Sequence, residues 1–305
     1  MRALIFGGSG FVGRHLAATL TGGEHRVRVF DRADHPGDDV RDPDAVTDVV
    51  RRFEPDQVYH LAAISWPGES LSDPRHTMDV NVTGTLNVLE AVRVTGSRAR
   101  VLIAGTSEEY GYGERPGSNE ITEGTACAPT TVYGVSKLAA TTLGQVYAQR
   151  YGMHVVSTRA WNHTGPGRQA VNAESAFACR IVAVERGEAD SVPHGDLSAV
   201  RNWTDARDVV RAYRRLLDPK GEATPGIYNV CSEENLPLSE IMDLLLEQSS
   251  VGPADLRLDP ALVFPSPWGM WPQPSAEKLR EITGWTPKIP LDQTLSELLT
   301  YWRNR

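Results

Sequence analysis

Cysteine is scarce in this sequence of 305 residues, which contains three: Cys127, Cys179 and Cys231. They are odd in number, lie far apart and form no C-x-x-C pair, so we expect neither a disulfide framework nor a zinc site. The sequence therefore predicts no metal ion. So few cysteines are typical of a reducing compartment, and we expect the cytoplasm.

Long hydrophobic runs and basic blocks are also lacking. No apolar stretch approaches the roughly eighteen residues of a membrane helix, and the opening MRALIFGGSG is too short and too soon broken by glycine for a signal peptide. The chain has 31 basic and 39 acidic residues and a net charge of -8. We therefore expect no membrane and no nucleic-acid partner, whereas a small anionic ligand needs only a few local arginines.

The first 160 residues or so contain apolar strand-like runs that alternate with helix-length segments. The runs read ALIF, RVRVF, QVYHLA, RVLIA and HVVSTRA. This alternation predicts an α/β fold, a doubly wound parallel sheet with helices on both faces. After Gly165 the chain is richer in Pro, Gly and polar residues, which predicts a smaller C-terminal substrate domain. We expect a sheet domain at 1–165, with return segments at about 203–232, and a substrate-binding domain at 166–202 and 233–305.

The stretch GGSGFVG, Gly7 to Gly13, lies between the first strand-like run and the helical run FVGRHLAATL. Glycine lets the backbone approach a pyrophosphate, and the helix N-terminus offers free N–H groups and positive potential. Tight strand-to-helix packing is the alternative. The second strand-like run ends at Asp31, whose carboxylate can accept hydrogen bonds from an adenosine ribose, so the whole arrangement predicts a dinucleotide site.

Asp31 also bears on the choice of dinucleotide. A carboxylate would repel a 2'-phosphate, so we expect NAD(H) rather than NADP(H), although Arg32 could receive that phosphate if Asp31 turned away. Asp39 and Val40 lie where the next loop could contact an adenine edge. A solvated acidic turn explains that stretch, PGDDVRDPD, nearly as well.

The stretch TVYGVSK places Tyr133 and Lys137 four residues apart, on one face of a helix. A phenol titrates near ~10, and a nearby ammonium is one way to make it a usable acid or base at neutral pH. Lysine suits the task because its compact charge can also reach a ribose. A chance pair is the alternative. The chain has only four lysines against 27 arginines, so a lysine at this spacing is informative.

Several motifs together resemble one family. GGSGFVG, HLAA, NVTGT, Thr106 with YGVSK, and WNHTGPG are similar to the extended short-chain dehydrogenases that modify nucleotide sugars, and the resemblance covers nearly the whole chain. Within that family, TSEEYG, YGVSK, NHTGPGRQ and RNWTD most resemble the GDP-6-deoxy-4-keto-mannose reductases, whose neighbours are the GDP-mannose 4,6-dehydratases. The resemblance implies a Rossmann fold and an NAD(P)H-dependent reductase of a nucleotide-linked 4-keto-6-deoxy-hexose.

The resemblance also implies roles for individual residues. Thr106 would hydrogen-bond the sugar's C4 oxygen, Tyr133 would donate the proton, and Lys137 would hold the nicotinamide ribose and lower the pKa of the tyrosine. With the motifs above, the predicted cofactor-binding residues are Gly7, Gly10, Phe11, Val12, Gly13, Asp31, Arg32, Asp39, Val40, Leu61, Ala62, Ala63, Tyr133 and Lys137. The predicted substrate-binding residues are Ser107, Asn162, Arg168 and Arg201, and for both arginines an ordinary surface position is the alternative.

Two adjacent carboxylates, Glu108 and Glu109, follow Thr106 in the stretch GTSEEYG. In the dehydratases the glutamate of Thr-Ser-Glu removes the C5 proton, and Glu108 occupies that place, although some reductases also read Ser-Glu-Glu-Tyr. We include Glu108 among the catalytic candidates as a group lining the site and predict a reductase. The alternatives are a 4,6-dehydratase or epimerase with tightly bound NAD, and a non-catalytic dinucleotide-sensing regulator.

Two positions depart from the family pattern. Thr131-Val132 stands where the family usually has Ser-Pro, and Phe264-Pro265 stands where it usually has Arg-Pro, with Trp268 close by. The late arginine commonly meets the pyrophosphate, so its loss leaves the base open among guanine, thymine, uracil and cytosine.

The family often pairs through two long helices, and on that ground we predict a homodimer. The corresponding segments are Asp73 to Thr95 and Thr131 to Tyr151. Apolar residues at helical spacing in the first segment are predicted to lie in the core: Met78, Val82, Leu86, Leu89 and Val92.

Overall fold

The computed structural model describes residues 1–23, 25–111, 120–263 and 272–305. Its strands are β1 Arg2–Phe6, β2 Arg26–Phe30, β3 Gln57–His60, β4 Arg100–Thr106, β5 Glu120–Ile121, β6 Val155–Ala160, β7 Asn162–Thr164, β8 Val192–His194, β9 Val200–Asp205, β10 Gly226–Val230, β11 Asn235–Pro237, β12 Leu256–Leu258 and β13 Gln273–Pro274. Its α-helices are α1 Phe11–Thr21, α2 Pro43–Phe53, α3 Pro67–Ser72, α4 Pro74–Met78, α5 Gly84–Val94, α6 Val132–Tyr151, α7 Ala173–Glu185, α8 Ala206–Leu216, α9 Leu238–Leu246, α10 Glu277–Thr283 and α11 Leu291–Arg303. The predictions on Phe264, Pro265 and Trp268 lie outside the described residues.

Six parallel strands form the central sheet, in the order β10-β6-β4-β3-β1-β2. The chain runs from β1 outward to β2 and then returns to the other side of β1 as β3, so the strand order reverses at β1. In open α/β sheets ligands bind at the carboxyl ends of the strands beside such a reversal. The late apolar run GIYNV becomes β10 and joins the sheet next to β6.

Apolar side chains cover both faces of this sheet. Helices α1 and α8 pack on one face, where Leu16 and Val209 are fully buried. Helices α2, α5 and α6 pack on the other, through residues that include Val46, Leu89 and Ala140. The predicted α/β fold with a doubly wound parallel sheet is therefore confirmed.

A separate hydrophobic cluster forms in the second half of the chain. Helices α7, α9 and α11 contribute Ile181, Ile241 and Leu298, and Trp203 of β9 joins them. The division into a dinucleotide-binding and a substrate-binding domain, with its boundaries, stays a prediction.

The segment from Asp73 to Thr95 is helical but is not one regular helix. A π-helical turn at Asp79–Thr83 separates α4 from α5. Leu89 and Val92 are buried as predicted, but Met78 and Leu86 are each 37% exposed, so the prediction that these two lie in the core is wrong. The π turn shifts α4, which carries Met78, out of register with α5. Leu86 lies outside the buried stripe of α5, which includes Val88 and Leu89.

Within the described ranges, no helix is long and apolar enough to cross a membrane. No group of three or more His, Cys, Asp or Glu side chains in that part of the chain is placed to hold a metal ion. All three cysteines are free thiols.

Candidate active site

A cleft of about 450 Å³ opens at the carboxyl ends of β1, β3 and β4. Most of the residues predicted for the site line this cleft: Gly7, Gly10, Phe11, Val12, Gly13, Leu61, Ala63, Thr106, Ser107, Glu108, Tyr133, Lys137, Asn162, Arg168 and Arg201. The predicted residues that do not line it are Asp31, Arg32, Asp39, Val40 and Ala62. The structure therefore brings together the predicted chemical groups but not the predicted adenosine contacts.

The glycine turn between β1 and α1 is shaped by close backbone contacts. Gly7 has φ +81°, and a Cβ there would lie 2.5 Å from the backbone nitrogen of Ala62. A Cβ at Gly13 would lie 2.3 Å from the carbonyl oxygen of Gly7, whereas a Cβ at Gly10 would meet only that same oxygen, at 3.3 Å. The lack of a side chain at Gly7 and Gly13 therefore lets the backbone segments of the turn pack closely. The lack of one at Gly10 leaves the backbone accessible from the cleft.

The N-terminus of α1 is free to receive an anion. Its N-cap residue is Gly10, no side chain caps the helix, and its first turn contains no acidic residue. Unpaired N–H groups and the positive end of the helix dipole therefore face the cleft, beside Gly10. These features fit the pyrophosphate of a dinucleotide.

Asp31 supports the glycine turn from behind. Its two carboxylate oxygens accept hydrogen bonds from the backbone N–H groups of Ser9 and Ala33, each at 2.9 Å. Asp39 accepts from Arg41 at 2.7 Å, and its carboxylate lies 3.6 Å from the Arg32 guanidinium. These side chains form an ion-pair cluster beyond the end of β2.

Val40 and Ala62 have structural positions. Val40 is buried, and its side chain would meet a Cβ at Gly84 at 2.9 Å, so it fills the gap between its loop and α5. The backbone of Ala62 lies against Gly7. For both residues the structure shows packing rather than a wall of the cleft.

The catalytic candidates come from two elements. Thr106 ends β4, and Tyr133 and Lys137 lie one turn apart on α6. The N-cap residue of α6 is Thr131, whose hydroxyl accepts a hydrogen bond from the Gly134 N–H at 2.9 Å. An N-cap of this kind fixes the first turn of the helix, which carries Tyr133.

Burial and nearby charge control the protonation of these groups. Burial raises the pKa of Tyr133, as does the Glu108 carboxylate, and a side-chain hydrogen bond with Thr106 lowers it. Burial also lowers the pKa of Lys137 to about 8, against the raising effect of Glu109. Lys137 Nζ donates a hydrogen bond to the carbonyl oxygen of Ala104 at 2.7 Å, and its effect on the tyrosine pKa stays a prediction.

The two adjacent glutamates point to different surroundings. Glu108 lines the cleft, and its Oε2 accepts a hydrogen bond from the Thr131 hydroxyl at 2.8 Å. Glu109 is fully buried and pairs with Arg159, with 2.8 Å between Oε2 and Nε. Of the two glutamates, Glu108 is therefore the one that can meet a ligand, and the unusual Thr131 donates a hydrogen bond to it.

The loop around β7 joins the glycine turn to the rest of the cleft. His163 stacks parallel to the ring of Phe11, with 6.2 Å between ring centroids, and the Arg168 guanidinium lies 5.1 Å from the centroid of the same ring. Burial lowers the pKa of His163 to about 4, so its imidazole is neutral. Arg168 also lies 3.4 Å from Glu174, which anchors it at the cleft.

The sequence analysis missed several residues of the cleft. Those with polar or aromatic side chains are Ser65, Trp66, Trp161, His163, Gln169, Asn172, Asn202 and Tyr213. Trp161, His163 and Gln169 belong to motifs that the family resemblance already used, so their neighbourhood was a signal. Tyr213 comes from α8, and nothing in its local sequence indicates that this helix reaches the cleft.

Comparison with known proteins agrees with this geometry. The family model described as "NAD dependent epimerase/dehydratase family" matches residues 3–231. The GDP-6-deoxy-D-mannose reductase of Pseudomonas aeruginosa is 32% identical over 305 residues, which cover 100% of this chain and 98% of that protein. The GDP-mannose 4,6-dehydratase of Yersinia enterocolitica is 27% identical over 86% of this chain and 76% of its own length.

Solved structures give the same result. The structure of RMD from Pseudomonas aeruginosa complexed with NADPH has a TM-score of 0.88 and 30% identity, with 99% of each chain covered. The UDP-glucose 4-epimerase of Thermus thermophilus in complex with NAD has a TM-score of 0.83 and 28% identity, again with 99% of each chain covered. The resemblance stated from the motifs is confirmed, and the chain belongs to the NAD-dependent epimerase/dehydratase family of extended short-chain dehydrogenases.

Proposed function

We propose that this protein reduces the C4 ketone of a nucleotide-linked 4-keto-6-deoxy-hexose with NAD(P)H, and that GDP-4-keto-6-deoxy-mannose is its substrate. The observation that carries the proposal is the placement of Thr106, Tyr133 and Lys137 in one cleft with the glycine turn. The two curated relatives described above, at 32% and 27% identity, are both named for GDP-linked mannose sugars, which supports guanine as the base.

Each proposed role suits the surroundings of its residue. When bound, the nicotinamide supplies a hydride to the carbonyl carbon. Tyr133 gives a proton to the C4 oxygen, and its raised pKa keeps the phenol protonated for that purpose. Thr106 holds the same oxygen, and Lys137 holds the nicotinamide ribose.

The remaining polar groups of the cleft bind the two nucleotides. The glycine turn and the N-terminus of α1 receive the cofactor's pyrophosphate. Ser107 and Asn162 contact the sugar, and Arg168 and Arg201 contact the phosphates or base of the substrate, since guanidinium groups suit phosphate oxygens.

We propose NADH rather than NADPH as the preferred cofactor. Asp31 stands at the end of β2, and Arg32 and Arg41 both interact with Asp39, which competes with a 2'-phosphate for their charge. The Pseudomonas structure contains NADPH and the Thermus structure contains NAD, so the relatives include both cofactors. The test is the ratio of kcat/KM for NADH and NADPH. A ratio in favour of NADPH would contradict the proposal, and Asp31→Ala should narrow a ratio in favour of NADH.

The reaction itself is tested by mixing the purified protein and NADH with GDP-4-keto-6-deoxy-mannose, with the TDP and UDP 4-keto sugars in parallel. Loss of NADH absorbance with the GDP sugar supports the proposal. Loss of NADH absorbance with the TDP or UDP sugar would support ketone reduction but would assign a different nucleotide base to the substrate. No loss with any of them, from protein that carries tightly bound NAD, favours a dehydratase or epimerase.

Glu108 separates the reductase from a dehydratase. Its carboxylate is already bound by Thr131, which favours a group that lines the site over a free base. In a reductase Glu108→Gln should lower kcat by less than about tenfold, whereas a C5 base would lose about 10²- to 10⁴-fold. A loss as severe as that of Tyr133→Phe would move the proposal to dehydration. Turnover of any sugar nucleotide excludes a regulator without catalysis.

We propose that the protein acts in the cytoplasm as a homodimer paired through α5 and α6. Four aliphatic side chains on these helices are between 37% and 53% exposed: Leu86, Val94, Val135 and Val146. Exposed apolar side chains on two adjoining helices suit an interface if they form one contiguous patch. Light scattering after gel filtration should give twice the chain mass, and Leu86→Glu with Val146→Glu should give a monomer. A monomeric parent protein would contradict the proposal.

A further inference from the structure

A fully buried ion pair lies beneath the candidate active site, where the family resemblance assigned no role. The side chains of Glu109 and Arg159 are 0% and 4% exposed, and Glu109 Oε2 lies 2.8 Å from Arg159 Nε. Arg159, on β6, also places its guanidinium 4.5 Å from the ring centroid of Tyr110. The pair thus joins the end of β4 to the neighbouring strand.

The other carboxylate oxygen of Glu109 is directed towards the active-site elements. Oε1 accepts hydrogen bonds from the backbone N–H of Thr106 and from the hydroxyl of Thr141, each at 3.1 Å. Thr141 lies on α6, one turn after Lys137. A single carboxylate therefore holds β4, β6 and α6 together at the places that carry Thr106 and Lys137.

The backbone makes room for this carboxylate. A Cβ at Gly105 would lie 2.3 Å from Glu109 Oε1 and 2.3 Å from the carbonyl oxygen of Thr158. Glycine at this position is thus required for Glu109 to sit beneath Thr106.

The hydrogen bonds also fix the charge state of Glu109. Burial raises the pKa of its carboxyl, while Arg159, the Thr106 N–H and Thr141 lower it. The backbone N–H and the guanidinium can only donate, so the ionised carboxylate is the form that all three partners satisfy. Replacing a buried ion pair by an apolar pair of similar volume is often neutral for stability, because the cost of burying two charges can exceed their attraction. Stability alone therefore does not explain the pair.

We propose that Glu109, held by Arg159, is a positioning residue that sets the Thr106 backbone and the Lys137 turn of α6 for proton transfer by Tyr133. The inference rests on the proposed function, since it assigns Tyr133 as the acid. Glu109 is buried and does not line the cleft, in contrast to Glu108.

The charges around the two titrating groups give the sign of the expected change. Glu108 and Glu109 face Tyr133 from the turn after β4, with Tyr213 facing it from α8, and the two glutamates raise its pKa. Glu109 raises the pKa of Lys137, which also acts on His60 of β3. Removing the charge of Glu109 therefore lowers the pKa of both Tyr133 and Lys137. In a variant without that charge, any decline of kcat/KM at alkaline pH should therefore begin at a lower pH.

The first test is Glu109→Gln, which keeps an acceptor oxygen for Thr106 and removes the charge. We expect kcat to fall roughly tenfold while KM for the sugar nucleotide changes little. We also expect the alkaline limb of kcat/KM to move down by about one pH unit. If Glu109→Gln does not fold, the double variant Glu109→Leu with Arg159→Met replaces it, because it leaves no unpaired buried charge. We expect kcat and the alkaline limb of kcat/KM to change in the same direction as in Glu109→Gln.

A second test needs no turnover. Because the chain has only four lysines, selective ¹³C-lysine labelling gives few NMR signals, and Lys137→Arg identifies the one from Lys137. That signal should titrate near pH 8 in the parent protein and at lower pH in the variants. Asp208→Asn, which removes the charge of another buried carboxylate paired with an arginine, is the control for general destabilisation and should leave the titration unchanged.

Unchanged Lys137 titration and unchanged pH limb in the Glu109 variants would overturn the inference. If the parent protein turns over no sugar nucleotide, the proposed function fails. The Lys137 titration then still decides whether Glu109 acts on this site.

Discussion

The two edges of the central sheet carry cavities of similar size but different chemistry. The amino edge has a cavity of about 530 Å³ lined by residues that include Arg2, Arg98 and Arg100, and the carboxyl edge has the cleft of about 450 Å³. At the amino edge Arg2 pairs with Glu54, and Arg100 donates to the carbonyl oxygen of Asp218. The guanidinium groups of Arg2 and Arg100 are therefore paired with a neighbouring carboxylate and a backbone carbonyl.

The carboxyl edge differs because its groups converge on the cleft. It combines an uncapped helix N-terminus with buried Tyr133 and Lys137, whose pKa values are both shifted. Cavity volume does not distinguish the two edges, and the amino-edge cavity has more arginines, four against two. The candidate site is therefore identified by buried titratable groups that converge on a cleft beside an uncapped helix N-terminus.

The largest expected effect is that of Tyr133→Phe at the carboxyl edge. We expect kcat/KM to fall by about 10²- to 10⁴-fold, because the variant removes the proton donor and keeps the ring. NADH consumption measures this, and cofactor fluorescence should show unchanged cofactor binding. Full activity would place the chemistry elsewhere.

The next largest effect is expected from Gly13→Ala. A Cβ there would lie 2.3 Å from the carbonyl oxygen of Gly7, so the turn must open although alanine favours a helix. Cofactor Kd should rise by about tenfold or more, with a loss of thermal stability.

The matched control for that variant is Gly96→Ala, which lies at the amino-edge cavity. Gly96 has φ +67° and nothing within 4 Å of a Cβ, so alanine should cost about 1 kcal/mol of stability without changing cofactor Kd. Equal effects on Kd at both edges would remove the distinction between them.

A smaller effect concerns pH. Lys137 is protonated below its pKa of about 8, so kcat/KM should decline as pH rises through that value. The pH profile measures this decline. In Lys137→Arg the guanidinium does not titrate, so the variant should be slower and should lack that limb. If kcat/KM of Lys137→Arg declined at the same pH, the decline would belong to another titrating group.

The smallest effect is expected at the amino edge. The ion pair of Arg2 and Glu54 is exposed, with side chains 39% and 70% accessible. Arg2→Ala should therefore cost less than about 1 kcal/mol of stability and leave kcat/KM unchanged. A marked loss of activity would show that the amino edge takes part in function.

The parts of this molecule that local sequence determines were predictable. The glycine turn is a short motif between a strand and a helix, and Tyr133 and Lys137 share one helix. Helical periodicity failed at Met78, where the π turn changes the register, and at Leu86, which lies outside the buried stripe of α5.

Other features depend on contacts between distant segments. The hydrogen bond from Thr131 to Glu108 spans 23 residues, and the ion pair of Arg159 and Glu109 spans 50. No local pattern states which of two adjacent glutamates faces the cleft. Asp31 was correctly placed at the end of β2, but its bond to the Ser9 N–H follows from the folded turn.

The most direct test of the central claim is hydride transfer to the sugar. The protein should be given NADH deuterated at the transferable position and GDP-4-keto-6-deoxy-mannose, and the product analysed by mass spectrometry and NMR. Reduction by this site predicts deuterium at C4 of the sugar in an amount equal to the NADH consumed, and none with Tyr133→Phe. Conversion of a sugar nucleotide without net loss of NADH would contradict the claim.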